Sequence, residues 1–84
     1  MYGRTIIFTL LAPSLWSVIE AVAQPCNTSQ LTRYLFKSTD NTGFVTEIFA
    51  TKNDAGKTLE VLQAIQGLKE QAMAKVTIIE GSTC

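Results

Sequence analysis

Apolar residues recur at helical spacing along most of the chain. Residues 31–35 carry apolar side chains at i, i+3 and i+4, and residues 44–49 contain two apolar pairs four positions apart. The clearest stripe runs over residues 55–75, where the spacing is i, i+4, i+7 and i+11. Such spacing places apolar side chains on one face of an α-helix. Turn-forming segments at 38–43 and 51–56 separate these stretches. The pattern predicts an all-α fold, a small unit of three to four helices.

The segment 76–79 (VTII) fits two structures. Its four β-branched residues favour a short strand, yet it directly follows the longest helical stripe. We interpret it as the last helical turn.

The first 23 residues have the pattern of a secretory signal peptide. Arg4 gives a positively charged start, residues 5–19 are uncharged and mostly apolar, and Ala21 and Ala23 are small residues just before the expected cleavage point. An uncleaved membrane anchor is the alternative, but the apolar run is shorter than the roughly 20 residues that span a bilayer. The sequence therefore predicts a signal peptide over 1–23, cleavage after Ala23, secretion, and a mature domain over 24–84.

Charge and residue usage limit the expected partners and chemistry. Seven basic and seven acidic residues give a net charge of zero, without a cluster of lysine and arginine. Binding to nucleic acid and stable membrane insertion after cleavage are therefore not expected. The chain has no histidine, and its two cysteines are expected to be oxidised. The usual acid–base and nucleophilic groups are then missing, so we expect no enzymatic activity, no cofactor and no metal site.

The two cysteines lie near the ends of the predicted mature chain, at Cys26 and Cys84. In an exported protein an even pair indicates a disulfide framework, and a domain of ~60 residues often needs one. Two arrangements stay open: one bridge within the chain, or a dimer in which each Cys26 bonds the Cys84 of its partner. Asn27 begins an Asn-x-Ser/Thr tripeptide and is a candidate N-glycosylation site.

The apolar side chains are core candidates, and two copies facing one another could enclose a cavity for an apolar ligand. Simple packing and a ligand cavity both stay open. The candidate cavity residues are Phe44, Phe49, Leu59, Leu62, Ile65 and Leu68.

This layout resembles the secretoglobins, the family of uteroglobin. The similarity rests on Cys26 and Cys84, on the acidic-aliphatic-Phe sequence at 47–49, and on the start of the third predicted helix at 53–56. The resemblance implies a homo- or heterodimer, joined by Cys26–Cys84 bridges, that encloses a cavity for lipophilic small molecules. The indicated function is a secreted carrier of hydrophobic ligands. The alternative is a secreted interaction peptide, such as a toxin, effector or signalling factor, with an intramolecular disulfide.

Overall fold

The computed structural model describes residues 1–83 and shows an α+β protein built on one antiparallel sheet. The prediction of an all-α fold is therefore wrong. A short 3-10 turn at Pro13–Leu15 precedes the first helix. The elements are β1 Tyr2–Leu10, α1 Trp16–Val22, β2 Cys26–Asn27, β3 Leu31–Lys37, β4 Thr42–Phe49, α2 Lys52–Lys57, α3 Glu60–Ala72 and β5 Met73–Ser82.

The sheet has five strands in the order β2-β3-β4-β1-β5, and its helices cover one face. β1 lies between β4 and β5, so that Ile6 is opposite Val45 on one side and Ile78 on the other. Residues directly opposite each other in an antiparallel sheet point to the same face. One side of the sheet therefore contacts the helices, and we call the other side the open face.

β1 is formed by the residues whose sequence predicts a signal peptide. Every even-numbered residue from Tyr2 to Leu10 is buried, while the odd-numbered ones are partly exposed. This period of two is the pattern of a strand with one buried face. With Trp16, Ile19 and Ala23 of the following segment, these residues supply much of the main core. Cleavage after Ala23 stays a prediction, and its structural consequence is the loss of the strand that joins β4 to β5.

The helices predicted around 31–35 and 44–49 are wrong, because a spacing of four residues fits both secondary structures. Four is two periods of a strand as well as about one turn of a helix. In β4, Phe44 and Ile48 lie on the open face, whereas Val45 and Phe49 are fully buried on the helix side. Each i, i+4 pair thus shares a face, as the helical interpretation required, but within a strand.

The long helical stripe is the part of the secondary structure that the sequence predicts best, although residues 73–75 at its end belong to β5. It corresponds to α3, whose Val61, Ile65 and Ala72 are buried against the sheet. A break at Thr58 separates it from the short helix α2. The last helical turn predicted at 76–79 is wrong, since this segment belongs to β5, as its β-branched residues favour. No helix within residues 1–83 is long and apolar enough to cross a membrane.

Trp16 of α1 packs on the helix side of the sheet and is part of the main core. Its ring meets Phe8 edge to face at 5.6 Å between centroids, and its Nε1 donates to the Asp40 carbonyl at 2.5 Å. A Cβ atom on Gly43 would overlap both this ring and the Phe36 carbonyl oxygen. Glycine at this position therefore lets the indole pack closely against β4.

Candidate functional site

Three charged side chains meet on the helix side of the sheet and form what we call the buried ion cluster: Arg4, Arg33 and Glu47. Glu47 of β4 is paired with Arg4 of β1 and with Arg33 of β3 in the strand register. Arg33 Nε donates to Glu47 Oε2 at 2.9 Å, and Arg4 Nη1 lies 3.5 Å from Glu47 Oε1. Glu47 is 1% exposed and Arg4 3%. One carboxylate is thus held between two guanidinium groups, away from water.

Arg4 also holds the second helix against the sheet. Its Nη2 donates to the Ala55 carbonyl at 2.8 Å and its Nη1 to the Thr58 carbonyl at 3.0 Å, where α2 ends. Its guanidinium carbon lies 5.1 Å above the centre of the Phe49 ring, a cation–π distance. A cation at a helix C-terminus is favourable, because the carbonyls there lack helical partners.

Tyr2 and Glu80 extend this cluster towards the edge of the sheet. The Tyr2 hydroxyl donates to Glu80 Oε1 at 2.7 Å, and Arg4 Nε donates to Glu80 Oε2 at 3.2 Å. The hydrogen bond from Tyr2 is the main cause that lowers the pKa of the Glu80 carboxyl below its ordinary 4.5, and Arg4 adds to it. The same bond, with burial, raises the pKa of the Tyr2 phenol above 10.0. At neutral pH the pair is therefore a phenol donor and a carboxylate acceptor.

Two clefts open on either side of α2, one beside each arginine. The cleft beside Arg4, which we call the Tyr2 pocket, has a volume of about 250 Å³. It is lined by Tyr2, Arg4, Lys52, Ala55, Gly56, Leu59, Leu62 and Glu80. The cleft beside Arg33, which we call the Arg33 pocket, has a volume of about 490 Å³. It is lined by Thr28, Gln30, Leu31, Arg33, Asp54, Lys57, Thr58 and Glu60.

The structure distributes the predicted cavity residues over several places. Leu59 and Leu62 do line the Tyr2 pocket. Phe49 lies beneath Arg4, and Ile65 is in the main core, with Leu68 packed at its margin. Phe44 is on the open face of the sheet, where its ring stacks on Phe36 at 4.8 Å. Within residues 1–83 the six side chains therefore do not share a single cavity.

The predicted cysteine framework lies partly outside the described residues. Cys26 is in the edge strand β2, partly buried, and is the one cysteine within residues 1–83, where it forms no disulfide. Cys84 lies outside that range. Asn27, the candidate glycosylation site, is exposed beside it and accepts a hydrogen bond from Thr32 Oγ1 at 3.3 Å. Glycosylation of Asn27 stays a prediction.

The sequence interpretation missed the buried ion cluster, although a signal for it exists. Arg4, Arg33 and Glu47 each have an apolar or aromatic residue two positions before and after them. In a strand, this places the charge on the buried face. The sequence interpretation assigns Arg4 to the charged start of a signal peptide and Glu47 to a helix, and neither assignment places the charge on the buried face of a strand. The residues that the structure describes contain no group of side chains able to hold a metal ion.

Comparison with known proteins identifies the fold. No protein-family model matches the chain, and no curated protein matches its sequence. A Nitrosomonas europaea protein of unknown function, NE2512, has a similar structure, with a TM-score of 0.73 and 12% identity over 98% of this chain and 87% of the other. A putative antibiotic biosynthesis monooxygenase from Deinococcus radiodurans has a TM-score of 0.65 and 17% identity, over 100% of this chain and 93% of the other. SnoaB, a cofactor-independent oxygenase from Streptomyces nogalater, has a TM-score of 0.62 and 13% identity, over 99% of this chain and 92% of the other.

These neighbours correct the interpretation of the sequence. The resemblance to secretoglobins is wrong, because the chain has the sheet-based fold of the monooxygenase-like proteins. The disulfide-linked lipophilic carrier and the disulfide-pinned interaction peptide both presupposed a helical unit, and both are wrong. The exclusion of enzymatic activity is also wrong, since it presupposed histidine or a reactive cysteine, whereas proteins described as oxygenases share this fold. At such low identities the likeness shows the fold alone.

Proposed function

We propose that this protein is a small oxygenase that acts on an electron-rich, ionisable organic substrate in the Tyr2 pocket without a bound cofactor. The observation that carries this proposal is the hydrogen-bonded chain from Tyr2 through Glu80 to the buried Arg4, which faces an apolar wall. The shared fold of SnoaB, a cofactor-independent oxygenase, supports it.

The chemistry requires an anion. Ground-state O₂ reacts slowly with closed-shell organic molecules, and a substrate overcomes this barrier by giving O₂ one electron, which is easiest from its deprotonated form. A cation fixed beside the substrate lowers the free energy of that anion. Arg4 is such a cation, and its position is fixed by the carbonyls of Ala55 and Thr58. Glu80 is ionised at neutral pH, and the hydrogen bond that it accepts from Tyr2 holds it beside Arg4, where it can accept a further hydrogen bond from the substrate.

The shape of the Tyr2 pocket indicates the kind of substrate. Ala55, Leu59 and Leu62 form an apolar wall opposite the polar groups, so one side of the cleft suits an aromatic ring and the other suits its hydroxyl. The expected lipophilic small-molecule partner thus becomes, in this proposal, the substrate. A suitable probe is 1-naphthol, because its conversion balances without a reductant: one 1-naphthol and one O₂ give one 1,4-naphthoquinone and one water.

Replacement of Tyr2 by Phe tests this assignment. We expect the full chain to consume O₂ with 1-naphthol and to place one atom of ¹⁸O₂ in the quinone. Loss of the Tyr2 hydroxyl removes the hydrogen bond that orients Glu80 in the pocket and should lower kcat by about 10- to 100-fold. Tyr34→Phe is the matched control, because Tyr34 lies on the open face and is 47% exposed. Oxygen uptake and mass spectrometry of the quinone are the measurements.

Two results would contradict the proposed reaction. One is a rate with 1-naphthol no higher than that of buffer. The other is equal rates for Tyr2→Phe, Tyr34→Phe and the unmodified chain, which would show that oxidation takes place outside the Tyr2 pocket.

We further propose that a second copy of the chain covers the open face. Four large apolar side chains on this face are 38–59% exposed: Tyr34, Phe36, Ile48 and Ile79. Among the described strand residues of this face, only Lys75 is charged. Two such faces can meet without charge repulsion, and interface centres are depleted in charge. From strand spacing and rise the face covers on the order of 700 Å² per chain. A standard interface buries about 800 Å² per partner.

Phe36→Lys tests this dimer. A lysine within an apolar interface leaves an unpaired charge without water, which costs roughly 2 kcal/mol or more. Sedimentation should therefore show twice the 9.2 kDa chain mass for the unmodified protein and the single-chain mass for the variant. Val18→Lys, a similar change on the exposed side of α1, should stay dimeric. A monomeric unmodified protein at micromolar concentration would refute the dimer.

A further inference from the structure

The Arg33 pocket has no part in the proposed reaction. It contains the Arg33 guanidinium group, one nitrogen of which has no hydrogen-bond partner within residues 1–83. Arg33 is 9% exposed. Its Nε donates to Glu47, and its Nη1 donates to the Gln24 carbonyl at 3.4 Å. Among residues 1–83 its buried Nη2 has no hydrogen-bond partner. This atom lies 2.9 Å from Glu47 Oε2, an ion-pair distance, but the contact lacks hydrogen-bond geometry, so its N–H groups are not committed to that oxygen.

Glu60 is the group that faces this unused donor from the pocket. Its Oε2 lies 3.7 Å from Arg33 Nη2, beyond hydrogen-bond distance, and its side chain is 80% exposed. A carboxylate so exposed gains little from the contact and is easily displaced. A ligand carboxylate in the same place could approach closely enough to accept a hydrogen bond from Arg33 Nη2.

Two further features of the pocket favour a negative charge. Lys57 lines the cleft and supplies a second cation near Arg33. Glu60 is the first residue of α3, a 13-residue helix whose N-cap residue, Leu59, provides no side-chain acceptor for the first-turn amides. The free N–H groups and the dipole of a helix N-terminus both attract anions.

We propose that the Arg33 pocket binds a small organic carboxylate, which displaces the Glu60 side chain and accepts a hydrogen bond from Arg33 Nη2. A planar, singly charged group matches the edge of a guanidinium. A doubly charged phosphate would meet repulsion from Asp54, which lines the same cleft, and from Glu47 behind the arginine. Leu31 offers an apolar surface to the remainder of the ligand. This site is independent of the reaction proposed for the Tyr2 pocket.

Benzoate is the probe for this site, with benzamide as its uncharged analogue. Titration of the ¹⁵N-labelled full chain should shift the Arg33 Nε–H resonance and the amides of Leu31 and Thr58 with one saturation curve. Benzamide should produce no saturable shift, and inorganic phosphate should bind more weakly than benzoate. Equal responses to benzoate and benzamide would overturn the proposal, and so would tighter binding of phosphate.

Charge variants sharpen the test. Arg33→Lys keeps the charge opposite Glu47 but loses the planar set of guanidinium N–H donors. It should weaken benzoate binding by about tenfold or more. Lys57→Met should weaken it roughly two- to fivefold, whereas Glu60→Gln should strengthen it by a similar factor, because the competing carboxylate is gone. Lys69→Met removes the same charge as Lys57→Met from an exposed position on α3 outside the pocket and should leave the affinity unchanged.

The outcome for Glu60→Gln separates displacement from general attraction. Weaker binding in this variant would mean that Glu60 assists the ligand, which contradicts the proposal. Equal losses in Lys57→Met and Lys69→Met would show that only the overall charge matters, and this would also overturn it. Neither result depends on oxygenase activity, so failure of this site and failure of the reaction in the Tyr2 pocket are distinguishable.

Discussion

A chain that begins at Gln24 is expected not to fold. Removal of residues 1–23 takes away β1, which pairs with both β4 and β5, and leaves β5 without a strand to bind. It also removes Phe8, Leu10 and Trp16 from the core, and deletion of a single large buried side chain already costs about 2–5 kcal/mol. The total stability of a small domain is only ~5–15 kcal/mol. Circular dichroism of the 24–84 fragment should therefore show no cooperative thermal transition.

A change within the same segment that spares the core is the control. Leu11→Ser alters an apolar residue that is 58% exposed and should leave the thermal midpoint nearly unchanged. Cooperative unfolding of the 24–84 fragment, or recovery of a folded secreted protein cut after Ala23, would contradict the role of β1. The intact mass of the native protein examines both the predicted cleavage and this role.

Glu47→Ala is expected to cost about 3–5 kcal/mol of unfolding free energy. The substitution leaves Arg4 and Arg33 facing each other in the interior without the carboxylate that separates them. Arg33 then keeps only the distant, exposed Glu60 and Arg4 only the partly exposed Glu80, so the interior holds more positive than negative charge, which costs more than the loss of one contact. Urea denaturation of the full chain measures the difference from the unmodified protein.

Glu60→Ala provides the comparison for the buried carboxylate. Glu60 also lies near Arg33, at 3.7 Å, but it is 80% exposed, so its loss should change stability by no more than ~1 kcal/mol. Similar urea midpoints for Glu47→Ala and the unmodified chain would show that the buried ion cluster contributes nothing to stability.

The secondary structure is only partly predictable, because a spacing of four residues between apolar side chains fits both a helix and a strand. In α3 the apolar residues include i+4 and i+7 steps, and an i+7 step places residues on the same face only in a helix. The segments that form β3 and β4 are too short to contain an i+7 step between apolar residues on one side. Their Leu31–Leu35 and Val45–Phe49 pairs are compatible with either period, and pairing with β1 decides the outcome.

The site was predictable in its apolar part and not in its charged part. Leu59 and Leu62 were candidates for ligand contact and do line a pocket. Arg4, Glu47 and Glu80 are distant in sequence and meet only because β1 lies between β4 and β5. A single sequence indicates which charges face inward, but strand order determines which of them touch. Secretion stays a prediction, and so does the absence of nucleic-acid partners.

The central claim is that residues 2–10 form the middle strand of the sheet and bring Arg4 between Glu47 and Glu80. Backbone nuclear Overhauser effects in the labelled full chain test it most directly. The fold predicts cross-strand contacts from Ile6 to both Val45 and Ile78, together with extended chemical shifts for residues 44–49. Helical shifts over 44–49, or an N-terminal segment without contacts to either neighbouring strand, would contradict it.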